Sequence, residues 1–65
     1  MNIKEIVDKE IDNIRVQMTL KRISITEISK AIDMSRATVT NVLSKRSSNV
    51  ETIYKIQKYV NEKEG

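Results

Sequence analysis

Residues 24–44 read SITEISKAIDMSRATVTNVLS, and the placing of polar and apolar side chains in this stretch decides the fold. Ser24 is followed three residues later by Glu27. The Ser24 hydroxyl can accept from the Glu27 amide while the Glu27 carboxylate reaches back to the Ser24 amide, a capping box that starts a helix. Ile23 before the cap and Ile28 at the fourth helical position supply the matching hydrophobic staple, and Ile25, Ile28, Ser29 and Ile32 make the buried face of a helix of about eight residues. Ser35 is a second cap, with Met34 and Val39 in staple positions and Val39, Val42 and Leu43 as the inward stripe of the next helix. Only Asp33 and Met34 separate the two helices.

Two short capped helices joined by so tight a turn, with small Ser29 where the backbones approach, form the pattern of a helix-turn-helix. On the second of them Arg36, Ala37, Thr40, Asn41 and Ser44 share the side opposite the valines. These residue types suit the edges of base pairs in a major groove. Arginine grips guanine bidentately, asparagine pairs with adenine, alanine touches a thymine methyl, and threonine or serine takes either partner. The alternative is an ordinary hydrated face, which would carry Glu and Lys one turn apart; no acidic residue lies between Met34 and Val50.

Outward from this stretch, the absence of proline and of internal glycine, with apolar residues three and four apart, predicts helices throughout. A first helix runs from about Ile3 to Lys21, with Ile3, Val7, Ile11, Ile14 and Met18 in one inward stripe; Ile6, Val16 and Leu20 project from a different side as a candidate partner surface. After the loop Lys45-Arg46-Ser47-Ser48, Asn49 caps a last helix to about Glu62 whose Val50, Ile53, Ile56 and Val60 face inward. The chain is therefore read as all-α, one four-helix domain over 1–65, with a helical extension (1–13), the helix-turn-helix (24–44) and a C-terminal helix (49–62). Helix starts leave amides that point at anions, and the loop adds charge and hydroxyls. Thr26, Ser35, Lys45, Arg46, Ser47 and Asn49 are thus the candidate phosphate contacts, which position the protein without reading sequence. A simple flexible basic loop is the alternative.

Composition narrows the function classes. The 65 residues include no cysteine or histidine, so neither a disulfide framework, a zinc site nor a thiol or imidazole catalyst is expected. No carboxylate pair sits among apolar residues and no glycine-rich loop exists to cradle a phosphate, so no enzyme and no cofactor is expected. No more than two apolar residues are contiguous, which leaves no membrane span or signal segment and predicts a soluble, cytoplasmic protein. A chain this small buries only about 60% of its unfolded surface, so its stability should be modest. The net charge of +3 is unevenly spread. Residues 1–12 carry two lysines against four acids, net −2; residues 13–58 carry nine basic against three acidic side chains, net +6. An acidic leader on a basic body suits a polyanionic partner for the body alone.

Ile14-Arg15 with Met18, then ISITEISKAIDMSRATVTNVLS, then NVETIYKIQKYV, resembles the Cro and lambda-repressor (XRE) family of helix-turn-helix regulators over about Ile14 to Val60; ATVTNVLS is also similar to lac-repressor headpieces. The resemblance implies a lambda-repressor-like fold and a DNA-binding transcriptional regulator of phage, prophage, plasmid or antitoxin type. Its third helix would enter the major groove of double-stranded DNA, with the protein acting as a homodimer on a palindromic operator in the bacterial or phage-infected cell. Three departures stand out. Asp33 replaces the family's glycine, so a left-handed residue is expected there at some strain. Ile25 stands where the family often has a phosphate-touching glutamine, which moves that contact to Thr26. The chain ends after the fourth helix, where many relatives have a fifth that helps dimerisation; a dimer is expected to use Ile3 and Ile6, or Tyr54 and Tyr59. With no second domain, control by a regulatory protein partner or by concentration is expected rather than a small-molecule effector. The competing reading is a protein-binding module, an antirepressor, antitoxin or inhibitor; such an interface would favour Tyr, Trp, Met or Leu on the third helix.

Overall fold

The computed structural model describes residues 2–47 and 49–63, which form four helices: α1 (Ile3–Lys21), α2 (Ile25–Ala31), α3 (Arg36–Leu43) and α4 (Val50–Glu62). No strand occurs among the described residues. Each helix begins at a side-chain cap. Asn2, Ser24, Ser35 and Asn49 accept from the amides of Lys4, Glu27, Thr38 and Thr52, respectively. Three of these caps are the ones read in the sequence; Asn2 is an addition.

One core joins all four helices. Ile11 and Ile14 of α1, Ile28 of α2, Val39, Val42 and Leu43 of α3, and Ile53, Ile56 and Val60 of α4 are buried together with Ile23, and Val7, Met18, Ile25, Ile32 and Tyr59 pack against them. Full burial of an aliphatic side chain stabilises by about 1.5–3 kcal/mol, and this cluster is what holds helices as short as the 7 residues of α2 and the 8 of α3, which would not persist alone.

Two expected core positions are not in the core. Ile3 is 73% exposed and Val50 62% exposed. Both lie in the first turn of their helices at one edge of the bundle, where they line an open groove with Lys45 and Arg46 and no further element among the described residues covers them. On α4 the inward stripe is instead Thr52, Ile53, Ile56 and Val60; at 100° per residue Val50 falls about 110° from the centre of that stripe. The Thr52 hydroxyl is enclosed without a hydrogen-bond partner among the described residues.

The capping box is half formed. Ser24 Oγ accepts from the Glu27 amide at 3.0 Å, but the Glu27 carboxylate is turned to α4, accepting from the Tyr59 hydroxyl and pairing with Lys63 Nζ. The Lys63 ammonium, and after it the Tyr59 hydroxyl, hold the Glu27 carboxyl below its ordinary value; the same carboxylate raises Tyr59 and Lys63 above theirs. A second tie runs from Lys21 Nζ to the Val60 carbonyl at 2.8 Å, joining the last turns of α1 and α4.

Three helix ends turn through left-handed residues, Arg22 (φ 56°), Asp33 (φ 56°) and Lys45 (φ 66°). After each, the next amide bonds back across the last turn: Ile23 N to Met18 O, Met34 N to Ser29 O and Arg46 N to Asn41 O. This is the geometry glycine serves most cheaply, since a Cβ costs about 1 kcal/mol there. Asp33→Gly should therefore raise stability by about 1 kcal/mol, roughly 4–8 °C in Tm; an unchanged or lower melting temperature would remove the strain argument.

The ion cluster gives a pH dependence. A lowered Glu27 contributes stability that is present above its ordinary 4.5 and lost as pH falls through the lower folded value; the raised Tyr59 and Lys63 contribute below their ordinary 10.0 and 10.5 and lose it as pH rises through the raised values. Glu27→Gln should thus melt below wild type at about pH 7, and the gap should be smaller in acid, well below 4.5. A gap of the same size at both would show that the charge contributes nothing.

Candidate nucleic-acid interface

The two-residue connection expected between α2 and α3 becomes Ile32 to Ser35, with Asp33 left-handed at its centre. It lets Ile28 and Val39, both fully buried, meet in the core. With Val39, Val42 and Leu43 inward, the opposite side of α3 is exposed. Arg36, Ala37, Thr40, Asn41 and Ser44 are all on it. Ser44 Oγ donates to the Asn41 carbonyl at 3.2 Å. The side chains of Arg36, Thr40 and Asn41 hydrogen-bond to none of the described residues, so their donors and acceptors are open to a ligand.

At the start of α3, Ser35 Oγ accepts from the Thr38 amide at 3.1 Å and shares a hydrogen bond with Thr38 Oγ1 at 2.8 Å. The Val39 amide donates to the Ser35 carbonyl. That leaves the Arg36 and Ala37 amides without an acceptor among the described residues, as expected of the first turn of a helix. The starts of α2 and α4 are built alike, from Ser24 and from Asn49 Oδ1, which accepts from the Thr52 amide at 3.2 Å. Ser35 and Asn49 are therefore occupied as caps, and an anion there would meet backbone amides rather than their side chains. Thr26 is half-buried, its carbonyl accepting from Ser29 Oγ at 2.9 Å. Ile25 packs against the core and offers no donor.

The basic loop after α3 is folded back on the helix. The Lys45 amide donates to the Val42 carbonyl, and the Arg46 and Ser47 amides to the Asn41 carbonyl. Lys45 Nζ reaches Asp12 of α1 at 2.9 Å, so one of its two cations is already paired, and Arg46 is exposed. Ser48, read above as a further hydroxyl of this loop, lies outside the described residues. Of the residues read as dimer contacts, Ile3 and Tyr54 are exposed, Ile6 is 46% exposed, and Tyr59 is half-buried with its hydroxyl on Glu27.

One neighbour of this face was not singled out in the sequence. Arg15 and Thr19 of α1 line an open groove of about 370 Å³ together with Ile25, Thr40 and Ser44. A guanidinium there can reach a phosphate flanking a groove occupied by α3. No local signal marks Arg15, because its place beside α3 depends on how α1 crosses the bundle.

The family model of the Cro/C1-type HTH DNA-binding domain matches residues 13–65. The chain belongs to this family. Its fold is the lambda-repressor-like arrangement of helices, with α2 and α3 as the helix-turn-helix, and the ligand of such a domain is double-stranded DNA. No curated protein and no solved structure matches the chain. The matched segment begins inside α1, so residues 3–12 of that helix precede it. No helix among the described residues is long and apolar enough to cross a membrane.

Proposed function

We propose that this chain is a sequence-specific transcriptional regulator, a small Cro-like repressor that acts as a homodimer on a palindromic operator. The observation that carries the reading is the outer face of α3 in a DNA-binding domain, where five exposed side chains offer guanidinium, carboxamide, hydroxyl and methyl groups and no carboxylate. In this reading α3 lies in the major groove. Arg36 takes guanine O6 and N7, Asn41 takes adenine N6 and N7, Ala37 meets a thymine methyl, and Thr40 and Ser44 adjust to either partner.

Lys45, Arg46 and Ser47, with the open amides near Thr26, Ser35 and Asn49, hold the backbone and set the register. One module with few phosphate contacts binds weakly and loses affinity steeply with salt. Pairing two copies about a two-fold axis addresses this by placing two recognition helices about 34 Å apart, which corresponds to half-sites about 10 base pairs between centres. Occupying such an operator represses by excluding the transcription machinery.

Selection of bound duplexes from a randomised library at near-physiological salt should return a two-fold symmetric motif with that spacing. Arg36→Ala should cost about 1–3 kcal/mol on the best site and relax one base position, whereas Arg46→Ala should weaken all sequences alike and lower the salt slope by about one. Equal loss on cognate and random DNA for Arg36→Ala would remove its base-reading role. Enrichment of no motif, with binding that vanishes as salt rises, would favour a protein-binding module instead.

A further inference from the structure

We propose that the groove between α1, the start of α2 and α3 holds one sugar-phosphate unit of the DNA strand that runs beside α3, with the Arg15 guanidinium on its phosphate. This rests on the DNA-binding reading above and adds to it a backbone contact made from α1. The groove is open and about 370 Å³ in volume. Arg15 and Thr19 line it from α1, Thr40 and Ser44 from α3. Its apolar lining includes Met18 and Ile25, which are half-buried against the core, and Leu43, which is buried.

Continuity and charge select the occupant. Thr40 and Ser44 belong both to this groove and to the exposed face of α3, so a duplex seated on that face also meets the mouth of the groove. Arg15 is the only charged residue lining it among those described, and it makes no ion pair with any of them. The carboxylates on neighbouring turns are engaged elsewhere: Asp12 with Lys45 Nζ at 2.9 Å, and Glu27 with Tyr59 and Lys63. Thr19 Oγ1 donates to the Arg15 carbonyl at 3.1 Å and Ser44 Oγ to the Asn41 carbonyl at 3.2 Å. The donors left open are therefore the guanidinium and, at the rim, the Thr40 hydroxyl. A planar cation above an apolar lining fits an anion that has an apolar body, and a deoxyribose phosphate has both parts.

This contact is separate from the one proposed for the loop after α3. Arg46 lines another groove, with Val50 and the first turns of α1, and the two grooves share no lining residue. Arg15 and Arg46 are therefore expected on different phosphates, so that α3 is held from α1 as well as from its own C-terminal loop. On the α2 side Ile25 offers no donor, and Arg15 supplies the charge from across the groove. A contact of this kind fixes where α3 sits and carries no sequence information of its own.

Titration of the full chain with library-selected and with random duplex, over a range of salt, tests the contact. Arg15→Gln should weaken binding to both about tenfold and lower the salt slope by about one, with an unchanged melting temperature. Arg15→Lys should keep the slope, since it keeps the charge, and Lys58→Gln on the exposed side of α4 should leave the slope unchanged. With phosphates replaced one at a time by uncharged methylphosphonates, wild type should be sensitive at one position per half-site where Arg15→Gln is indifferent and Arg46→Ala is still sensitive. Wild-type affinity and slope in Arg15→Gln, a loss confined to the selected duplex, or the absence of any such position would each overturn the proposal. The two readings fail separately. A library that enriches no motif, with Arg15→Gln still weakening random duplex, would remove sequence-specific regulation and leave this contact standing, whereas a palindromic motif that Arg15→Gln binds as tightly as wild type would do the reverse.

Discussion

The burial of Ile28 and Val39 in one core is the constraint from which the rest of the structure follows. Both side chains are fully enclosed, and they lie on helices of 7 and 8 residues, too short to be stable in isolation. Tertiary burial, rather than helix propensity, therefore holds α3. Once Val39, Val42 and Leu43 are inward, the period of the helix leaves Arg36, Thr40 and Asn41 no place but the surface. The face proposed to meet DNA is in this sense the remainder of the core.

The turn between α2 and α3 is made without glycine, as are the ends of α1 and α3, so Arg22, Asp33 and Lys45 each hold a left-handed backbone. Long-range ties offset this strain. Lys21 bonds the Val60 carbonyl, Glu27 gathers Tyr59 and Lys63, and Asp12 meets Lys45. The last two of these half-exposed pairs contribute little each as surface ion pairs, but the three ties link α1 and α2 to α4 and to the loop after α3. They also redistribute charge: Lys45 is met by a carboxylate from the acidic leader, while Arg46 stays open to solvent.

Much of this was legible before any coordinates. Ser24, Ser35 and Asn49 mark helix starts because short polar side chains cap free amides, and the isoleucines and valines three and four apart mark inward faces. Asp33 stood out as a left-handed position through the family resemblance. Arg22 and Lys45 did not, because a helix end at a long basic residue has no local sign when glycine is absent. Ile3 and Val50 were read as core since periodicity registers which side a residue takes and is silent on whether anything covers it. The reach of Glu27 back to Ser24 was a sound local expectation that lost to partners 32 and 36 residues away. For the candidate interface, the residues of the α3 face were read from spacing alone, whereas the groove that brings Arg15 beside Thr40 and Ser44 was not.

The sequence by itself determined four helices, their caps and the polar face of α3, because each depends on residues within one or two turns of one another. The tertiary structure decided what lies across from what: which helix ends overhang the core, which carboxylate meets which cation, and which side of α1 is left uncovered. Those outcomes depend on the crossing of helices far apart in the chain, and no local period or propensity carries that information.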